Sequence, residues 1–229
     1  MKLEACIETL AEVKAAVNHG LNRVELCSAL DLGGLTPSAA LIQESAKIIE
    51  THVMIRPRAG DFVYEDEEIK LMQADIQRAQ HFGATGVVFG CLNDFNQVDE
   101  DKNKRLVNTA KKAGLQCTFH RAFDFVFDMD EALELIVDLG FQRILTSGGQ
   151  ATAINGLNQI MKLITQANGR IEIMAGSGIN AENIKTIEAA GVDAAHFSIR
   201  KKQNRMASLN MGTQYEVDEK KILNIKNAL

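Results

Sequence analysis

Short runs of β-branched and other apolar residues alternate with longer amphipathic stretches along the whole chain. In the stretch from Thr9 to His19, apolar side chains recur every three or four residues, at Leu10, Val13 and Val17. This spacing places them on one face of a helix. Gly20 follows directly and supplies the left-handed conformation that commonly ends a helix. The pattern therefore predicts a helix here and a strand on each side of it.

The same unit repeats eight times. The predicted strands are Lys2–Ile7, Asn22–Leu26, Val53–Pro57, Gly86–Gly90, Leu115–His120, Arg143–Thr146, Ile171–Ala175 and Asp193–Phe197. A glycine separates helix from strand in most units, at Gly83, Gly114, Gly140, Gly169 and Gly191. Alternating strands and helices are typical of a parallel sheet with its helices outside. We expect an α/β protein of the (β/α)8 TIM-barrel type, closed by a final helix over Asp218–Ala228.

The length of 229 residues suits one such barrel, since they run to about 250 residues. No linker or composition shift divides the chain, so residues 1–229 are expected to form a single barrel domain. An open doubly wound sheet is the alternative, but it usually carries a glycine fingerprint after its first strand. The stretch from Ile199 to Val217 is predicted to be irregular, either a functional cover or a loosely ordered connection.

Composition narrows the classes of partner. The net charge is −5 and basic residues form no long run, so nucleic acid is not expected as a partner. No apolar run approaches the roughly 20 residues of a membrane span, and no leader-like segment precedes Lys2. We therefore expect a cytoplasmic protein that does not bind membranes. The four cysteines form no Cys-x-x-Cys pair, which favours reduced thiols over a zinc finger or a disulfide scaffold.

The loops after the strands form the active site of a TIM barrel, so polar residues at strand ends are the candidates. A Glu-x-Cys triplet ends each of the first two strands, with Glu4 and Cys6 in one and Glu25 and Cys27 in the other. Residues two apart on a strand share a face. The two triplets predict either an acid–base cluster or a metal site, in which thiolates favour Cu(I) or Zn. Alternatively, the cysteines are apolar fillers of the barrel.

Two arginines, Arg56 and Arg58, follow the third strand. A guanidinium group can bind a carboxylate or phosphate with two hydrogen bonds. The pair could hold an anionic ligand or neutralise nearby glutamates.

Further ionisable groups end the fifth and eighth strands. His120, Arg121 and Asp124 lie together in one run, and His196 precedes Ser198 in the other. Histidine beside a carboxylate can serve as a general acid–base group or a metal ligand. The remaining histidines are expected to be plain surface residues: His19, His52 and His81.

Small residues follow the sixth and seventh strands, at Thr146–Gly149 (which includes Ser147) and at Ala175–Asn180. The second run is similar to the phosphate-binding loops of late TIM-barrel strands. Such turns also arise from tight packing alone, so both explanations stay open.

Four segments together resemble the CutC copper-homeostasis family: Glu25–Ser38, Met54–Phe62, Thr118–Asp124 and Arg143–Gly148. The resemblance implies a cytoplasmic barrel, often a homodimer, that binds Cu(I) through cysteine. The family's polar mouth residues match Glu4, Glu25, Arg56, Arg58, His120, Arg121, Asp124, Ser147, His196 and Ser198. Its candidate copper ligands match Cys6 and Cys27.

Two functions follow as hypotheses. The first is a copper-homeostasis protein in which Cys6 and Cys27 bind Cu(I). The second is an enzyme that acts on a small anionic or phosphorylated metabolite. Its catalytic candidates are Glu4, Glu25, His120 and Asp124. Its substrate-binding candidates are Arg56, Arg58, Arg121, Ser147, His196 and Ser198.

Overall fold

The computed structural model of the protein describes residues 1–203 and 212–229. Eight parallel strands close into a barrel in which each strand pairs with the next along the chain and the eighth pairs with the first. The strands are β1 Lys2–Ile7, β2 Arg23–Leu26, β3 Thr51–Met54, β4 Gly86–Phe89, β5 Gln116–Phe119, β6 Arg143–Thr146, β7 Glu172–Gly176 and β8 Ala194–Ser198. The predicted (β/α)8 fold is confirmed.

Helices follow the strands and cover the outside of the barrel. They are α1 Leu10–Asn18, α2 Ala39–Ala46, α3 Asp66–His81, α4 Glu100–Lys112, α5 Met129–Leu139, α6 Leu157–Ala167, α7 Ile184–Ala189 and α8 Glu219–Asn227. Two short 3₁₀ helices, Leu30–Leu32 and Arg121–Phe125, lie in the loops after β2 and β5.

The observed boundaries differ from the predicted ones by a few residues. The predicted first helix included Thr9 and His19, which are its N-cap and C-cap; the Thr9 side chain accepts a hydrogen bond from the Glu12 backbone N–H. The third strand was predicted too late, since it begins at Thr51 and ends before Pro57. Proline lacks a backbone N–H and cannot continue a sheet ladder.

The prediction of an irregular segment after β8 is wrong at both of its ends. Residues Arg200–Lys202 form β9 and residues Tyr215–Val217 form β10, and the two pair in antiparallel fashion. The Arg200 side chain forms ion pairs with Glu8 and Asp31, in the loops after β1 and β2. These ion pairs hold the β9–β10 pair of strands at the mouth of the barrel. The middle of the predicted segment, residues 204–211, lies outside the described residues.

The outward faces of the strands pack against the helices in the main hydrophobic core, while the inward faces carry several charged residues. His52 is one of these and is fully buried, so the expectation of a plain surface residue was wrong. Side chains alternate between the two faces of a strand. The neighbouring residue Thr51 faces α2, where the Thr51 hydroxyl forms a hydrogen bond with Ser45 at 2.8 Å. The next side chain along the strand, His52, therefore points into the barrel.

Among the described residues, no helix is both long enough and apolar enough to cross a lipid bilayer.

Candidate functional site

A cavity of about 500 Å³ opens at the carboxyl-terminal mouth of the barrel. The strands that lead into it are buried, so their last inward-facing residues and the loops beyond them form its walls. Its polar walls come from Cys6, Glu25, Arg56, Asp61, Asn96, His120, Arg121 and His196. Its apolar walls include Met54, Phe62, Phe125 and Leu145. Six of the residues predicted for the site therefore surround one space.

Glu4 lies just behind this cavity and holds His196 in place. One of its carboxylate oxygens is ion-paired with Arg23, and the other bonds His196 Nδ1 at 2.8 Å. Burial alone would raise the pKa of Glu4, but His196 and Arg23 hold that pKa well below its usual range. Glu4 is therefore an anion. The Nδ1 atom of His196 donates to it, which leaves Nε2 on the side of Glu25.

Glu25 has a different environment from Glu4. Its side chain is buried, Oε2 lies 3.7 Å from His196 Nε2, and Oε1 has no hydrogen-bond partner in the part of the chain that the structure describes. Burial raises the pKa of Glu25, and the nearby His196 offsets only part of that effect. Burial alone would lower the pKa of His196, but Glu25, Cys6 and Glu4 outweigh it and raise that pKa well above its ordinary value. Two carboxyl groups with separated pKa values suit separate roles, one orienting and one exchanging a proton.

His120 lies in another part of the cavity wall, at the end of β5. Its ring packs edge-on against Phe62, with 4.8 Å between ring centroids, and Phe125 packs on Phe62 at 5.7 Å. Burial and the positive charge of Arg56 lower the pKa of His120 to about 3. The imidazole is therefore neutral at physiological pH.

The two arginines after β3 have different environments. Arg56 is buried, and its guanidinium donates to the backbone oxygens of Leu32, Gly34 and Gly60. It ties three loop positions together and places a positive charge in the cavity wall. Arg58 has 38% of its side chain exposed, pairs with Glu68 and Asp61, and is not part of the cavity wall.

Asp124 forms hydrogen bonds with the loop after β6 and does not line the cavity. Its carboxylate accepts hydrogen bonds from the Thr146 hydroxyl at 2.6 Å, the Ser147 backbone N–H at 2.9 Å and the Gly149 N–H at 3.1 Å. Arg121 Nε adds another at 2.7 Å. The small-residue turn predicted after the sixth strand thus surrounds the chain's own carboxylate.

The loop after β7 packs against a neighbouring loop. The Ser177 hydroxyl donates to the Ala151 carbonyl at 2.7 Å, and a Cβ at Gly178 would lie 2.8 Å from the Thr152 side chain. This loop, with its phosphate-loop pattern, is not part of the cavity wall. Ser198 also lies outside the wall, and its hydroxyl accepts from the Arg200 N–H at 3.4 Å.

All four cysteines are free thiols, and only Cys6 reaches the cavity. Cys27 is fully buried, with its sulfur 3.5 Å from Glu25 Oε2. Burial and the neighbouring acidic groups raise the pKa of Cys27 well above its ordinary value, so the thiol keeps its proton. The Cys6 thiol can therefore be reached from the cavity, whereas the Cys27 thiol is shielded from it.

One group of donors within the described residues has the spacing of a metal site: Glu4, Glu25 and His196. Oxygen and nitrogen donors do not match Cu(I), which prefers thiolate and thioether sulfur. The Arg23 guanidinium, paired with Glu4, places a fixed positive charge beside these donors, which disfavours a cation there. This group does not fit Cu(I). The sulfur atoms of Cys6 and Met54, in the same cavity wall, are of the type that Cu(I) prefers.

The sequence interpretation missed Arg23, although its position carries a signal. Arg23 and Glu25 alternate along β2, and Cys27, directly after the strand, continues the same spacing. The rule that placed Glu25 and Cys27 inside therefore also applies to Arg23. The aromatic wall from Phe62 and Phe125 had no comparable signal, because both residues lie in loops.

These features define the class: a (β/α)8-barrel protein whose carboxyl-terminal mouth holds a buried acid–histidine cluster beside an apolar cavity. The model of the CutC family matches residues 1–201, and the chain belongs to this family.

Individual proteins agree with the family match. A relative named family protein CutC from Glaesserella parasuis serovar 5 is 43% identical over 232 residues, covering 100% of this chain and 95% of the relative. Another from Bacteroides fragilis is 45% identical, covering 93% and 83%. A crystal structure from Streptococcus agalactiae, described as a candidate copper homeostasis protein CutC, has a TM-score of 0.81 at 37% identity and covers 86% of this chain and 98% of its own.

Proposed function

We propose that the cavity is the acid–base site of an enzyme that acts on a small anionic molecule. One observation carries the proposal: the Glu25 carboxyl is buried at the cavity wall with a free oxygen, beside His196, which Glu4 holds by its other ring nitrogen. A buried carboxyl oxygen without a hydrogen bond lowers the stability of the folded protein. A role in function would explain why such a group is kept. Proton transfer to or from a bound molecule is such a role.

The charges of the wall favour an anionic substrate. Arg56 places a positive charge in the wall without a carboxylate partner among the described residues. The other charged side chains near the wall are ion-paired: Arg121 with Asp124, Asp61 with Arg58, and Glu4 with Arg23. The volume of about 500 Å³ suits a metabolite rather than a polymer. In this proposal Glu25 exchanges a proton with the substrate, His196 supports it, and Arg56 attracts the anion.

The test is a screen of small carboxylates and phosphate esters with the wild-type protein and Glu25→Gln, followed by ¹H NMR in D₂O. We expect at least one compound to be converted, with the rate about 10²–10⁴-fold lower in Glu25→Gln. Glu67→Gln, on the exposed face of α3, is the matched control and should keep the wild-type rate. Equal rates in wild type and Glu25→Gln would contradict the proposal.

Copper binding is a second candidate, favoured by one specific observation. The Cys6 thiol and the Met54 thioether share the cavity wall with His196, and sulfur is the donor that Cu(I) prefers. The relative from Streptococcus agalactiae is described as a candidate copper homeostasis protein. In this candidate function Cys6 binds Cu(I) and Cys27 assists from the adjacent strand.

Competition titration of Cu(I) against a strong chelator tests the copper candidate. Cys6→Ser should weaken binding by at least tenfold, and Cys27→Ser should weaken it less because that thiol is shielded. Cys117→Ser is the matched control, since Cys117 is equally buried but belongs to the main hydrophobic core. Equal affinity in wild type and Cys6→Ser would exclude the copper site.

A cytoplasmic location and a homodimer also remain proposals. Four free thiols suit a reducing compartment. Sedimentation velocity at micromolar concentration tests the dimer, and cell fractionation tests the location.

A further inference from the structure

His120 is oriented so that a single ring nitrogen remains for a ligand. Its Nδ1 accepts a hydrogen bond from the Ala122 backbone N–H at 3.3 Å. Gly90 lies against the same edge of the ring, where an added Cβ would be 2.9 Å from Nδ1. A neutral imidazole carries one proton, so an accepting Nδ1 places that proton on Nε2. His120 therefore presents an Nε2–H donor.

Within residues 1–203 and 212–229, this donor has no partner. The Nε2 atom is buried and makes no hydrogen bond, although the ring is part of the cavity wall. A buried N–H without an acceptor is unfavourable, so the site is expected to have an acceptor when it is occupied. Phe62, Phe125 and Leu145 in the wall have no acceptor side chain, and the acceptors Asp61 and Asn96, which also line the cavity, make no hydrogen bond to this Nε2.

The second unpartnered polar atom of interest belongs to Glu25, on β2, three strands away from β5 around the closed barrel. The cavity therefore offers a neutral N–H donor in one wall and a carboxyl with a free oxygen in another. A molecule that spans them presents an acceptor oxygen to His120 and an exchangeable hydrogen to Glu25.

We propose that the substrate is a small carbonyl compound with an anionic group, whose C=O oxygen accepts the His120 Nε2–H bond while the adjacent C–H lies at Glu25. This inference rests on the proposed acid–base function and specifies its substrate class. A neutral donor is suited to the task because it strengthens its bond as charge develops on the oxygen and leaves the ground state largely unaltered.

The step balances without a further reactant. The Glu25 carboxylate takes the proton from the carbon next to the carbonyl, and the C–H electron pair forms a C=C bond. The C=O π pair moves onto oxygen, giving an enolate that His120 Nε2–H stabilises. Glu25, after exchanging its proton with solvent, returns a proton to the same carbon as the oxygen electron pair re-forms the C=O bond, which gives hydrogen exchange or, at a stereogenic carbon, epimerisation.

Arg56 supports this step from a distance. Its guanidinium is fixed by three backbone oxygens, and its charge keeps His120 neutral by lowering the pKa of the ring. The same charge favours an enolate oxygen nearby.

The test uses 2-oxo acids of three to six carbons, labelled with ¹³C at the carbonyl, each paired with the 2-hydroxy acid of the same skeleton. One measurement is exchange of the C3 hydrogen for deuterium in D₂O, followed by ¹H NMR. The other is the infrared C=O stretch of the bound compound, which falls when the oxygen accepts a hydrogen bond. The variants are Glu25→Gln, His120→Leu and His120→Gln, with the exposed His81→Gln as the matched control.

We expect wild type and His81→Gln to exchange the C3 hydrogen of at least one oxo acid and to lower its C=O stretch. His120→Leu should lose the shift and slow exchange by about 10²–10³-fold, as for removal of an oxyanion donor. His120→Gln, which keeps an uncharged N–H, should recover much of both. Glu25→Gln should lose exchange and keep the shift.

The outcomes separate the two proposals. Exchange that is unchanged in His120→Leu overturns the carbonyl site and leaves the acid–base function standing. A C=O shift in wild type, absent in His120→Leu, without exchange anywhere overturns the acid–base function and leaves the carbonyl site. If His120→Leu fails to fold, the ¹⁵N signal of His120 Nε2–H in wild type decides. The ¹⁵N chemical shift of this signal must change when the oxo acid is added and stay the same when the hydroxy acid is added. A shift that does not change with the oxo acid overturns the inference.

Discussion

The two halves of the barrel interior are built from the same residue types, yet they differ in how their polar atoms are paired. Near the amino-terminal end, Arg23 pairs with Glu4, and Arg143 Nε bonds Glu172 at 2.7 Å. His52 Nε2 and Arg23 Nη1 make no hydrogen bond, but they lie 3.4 Å and 3.7 Å from the same carboxylate oxygen of Glu50. Near the carboxyl-terminal end, Glu25 Oε1 and His120 Nε2 have neither a hydrogen bond nor an ion pair within residues 1–203 and 212–229. Ion pairs thus accompany the buried polar groups of the amino-terminal half, whereas these two atoms belong to residues that line the cavity.

The largest effect should come from breaking the amino-terminal half. Arg23→Met leaves the buried Glu4 carboxylate with His196 but without its guanidinium partner, and the side chains of Arg23 and Glu4 are both about 1% exposed. We expect a loss of about 3–5 kcal/mol in unfolding free energy, measured by urea denaturation. Adding Glu4→Gln should restore part of the loss, because the buried charge is then removed. A loss below about 1 kcal/mol would show that this pair does not stabilise the barrel.

A smaller effect should distinguish the two arginines after β3. Arg56→Lys cannot reach the backbone oxygens of Leu32, Gly34 and Gly60 together, because an ammonium lacks the forked geometry of a guanidinium. We expect a loss of about 1.5–3 kcal/mol by the same measurement. Arg58→Lys is the matched control and should lose less than about 1 kcal/mol, since its ion pairs are partly exposed. Equal losses would mean that the difference in burial between Arg56 and Arg58 does not change how much each side chain stabilises the protein.

The last prediction concerns protonation in the carboxyl-terminal half and needs no substitution. In ¹⁵N NMR, His120 should remain the neutral Nε2–H form from pH 8 down to pH 5, because burial and Arg56 lower its pKa to about 3. His196 should be an imidazolium at pH 7, because Glu25, Cys6 and Glu4 raise its pKa despite burial. The two rings should thus be in opposite states, and identical states at pH 7 would refute this picture.

The stability change linked to His120 has a definite sign. The unfolded chain binds the proton near pH 6.5, whereas the folded protein binds it only near pH 3. Between these values the unfolded state holds more protons, so the unfolding free energy falls as the pH falls through this window. His120→Gln should flatten that slope. A slope that persists unchanged in His120→Gln would have to come from other groups.

Part of the candidate site could be predicted from sequence because strand periodicity decides which residues face inward. Glu25, His120 and His196 end strands, and in a TIM barrel the ends of all strands meet at one mouth. Arg58 and Asp124 follow in loops, where no periodicity fixes the side-chain direction. The structure places Arg58 outside the cavity wall and surrounds Asp124 with backbone N–H groups of the next loop.

The sequence by itself determined the eight strand–helix units and the glycine turns, because these depend on backbone conformations and contacts within a few residues of one another, and eight such units are typical of a closed barrel. Only the tertiary structure decided which buried polar groups are paired. Arg23 meets Glu4 and His196 meets Glu4 through the register of β1 with β2 and β8, which joins residues up to 192 positions apart. Whether Glu25 and His120 keep a free atom depends on every neighbour at once, and no local pattern contains that information.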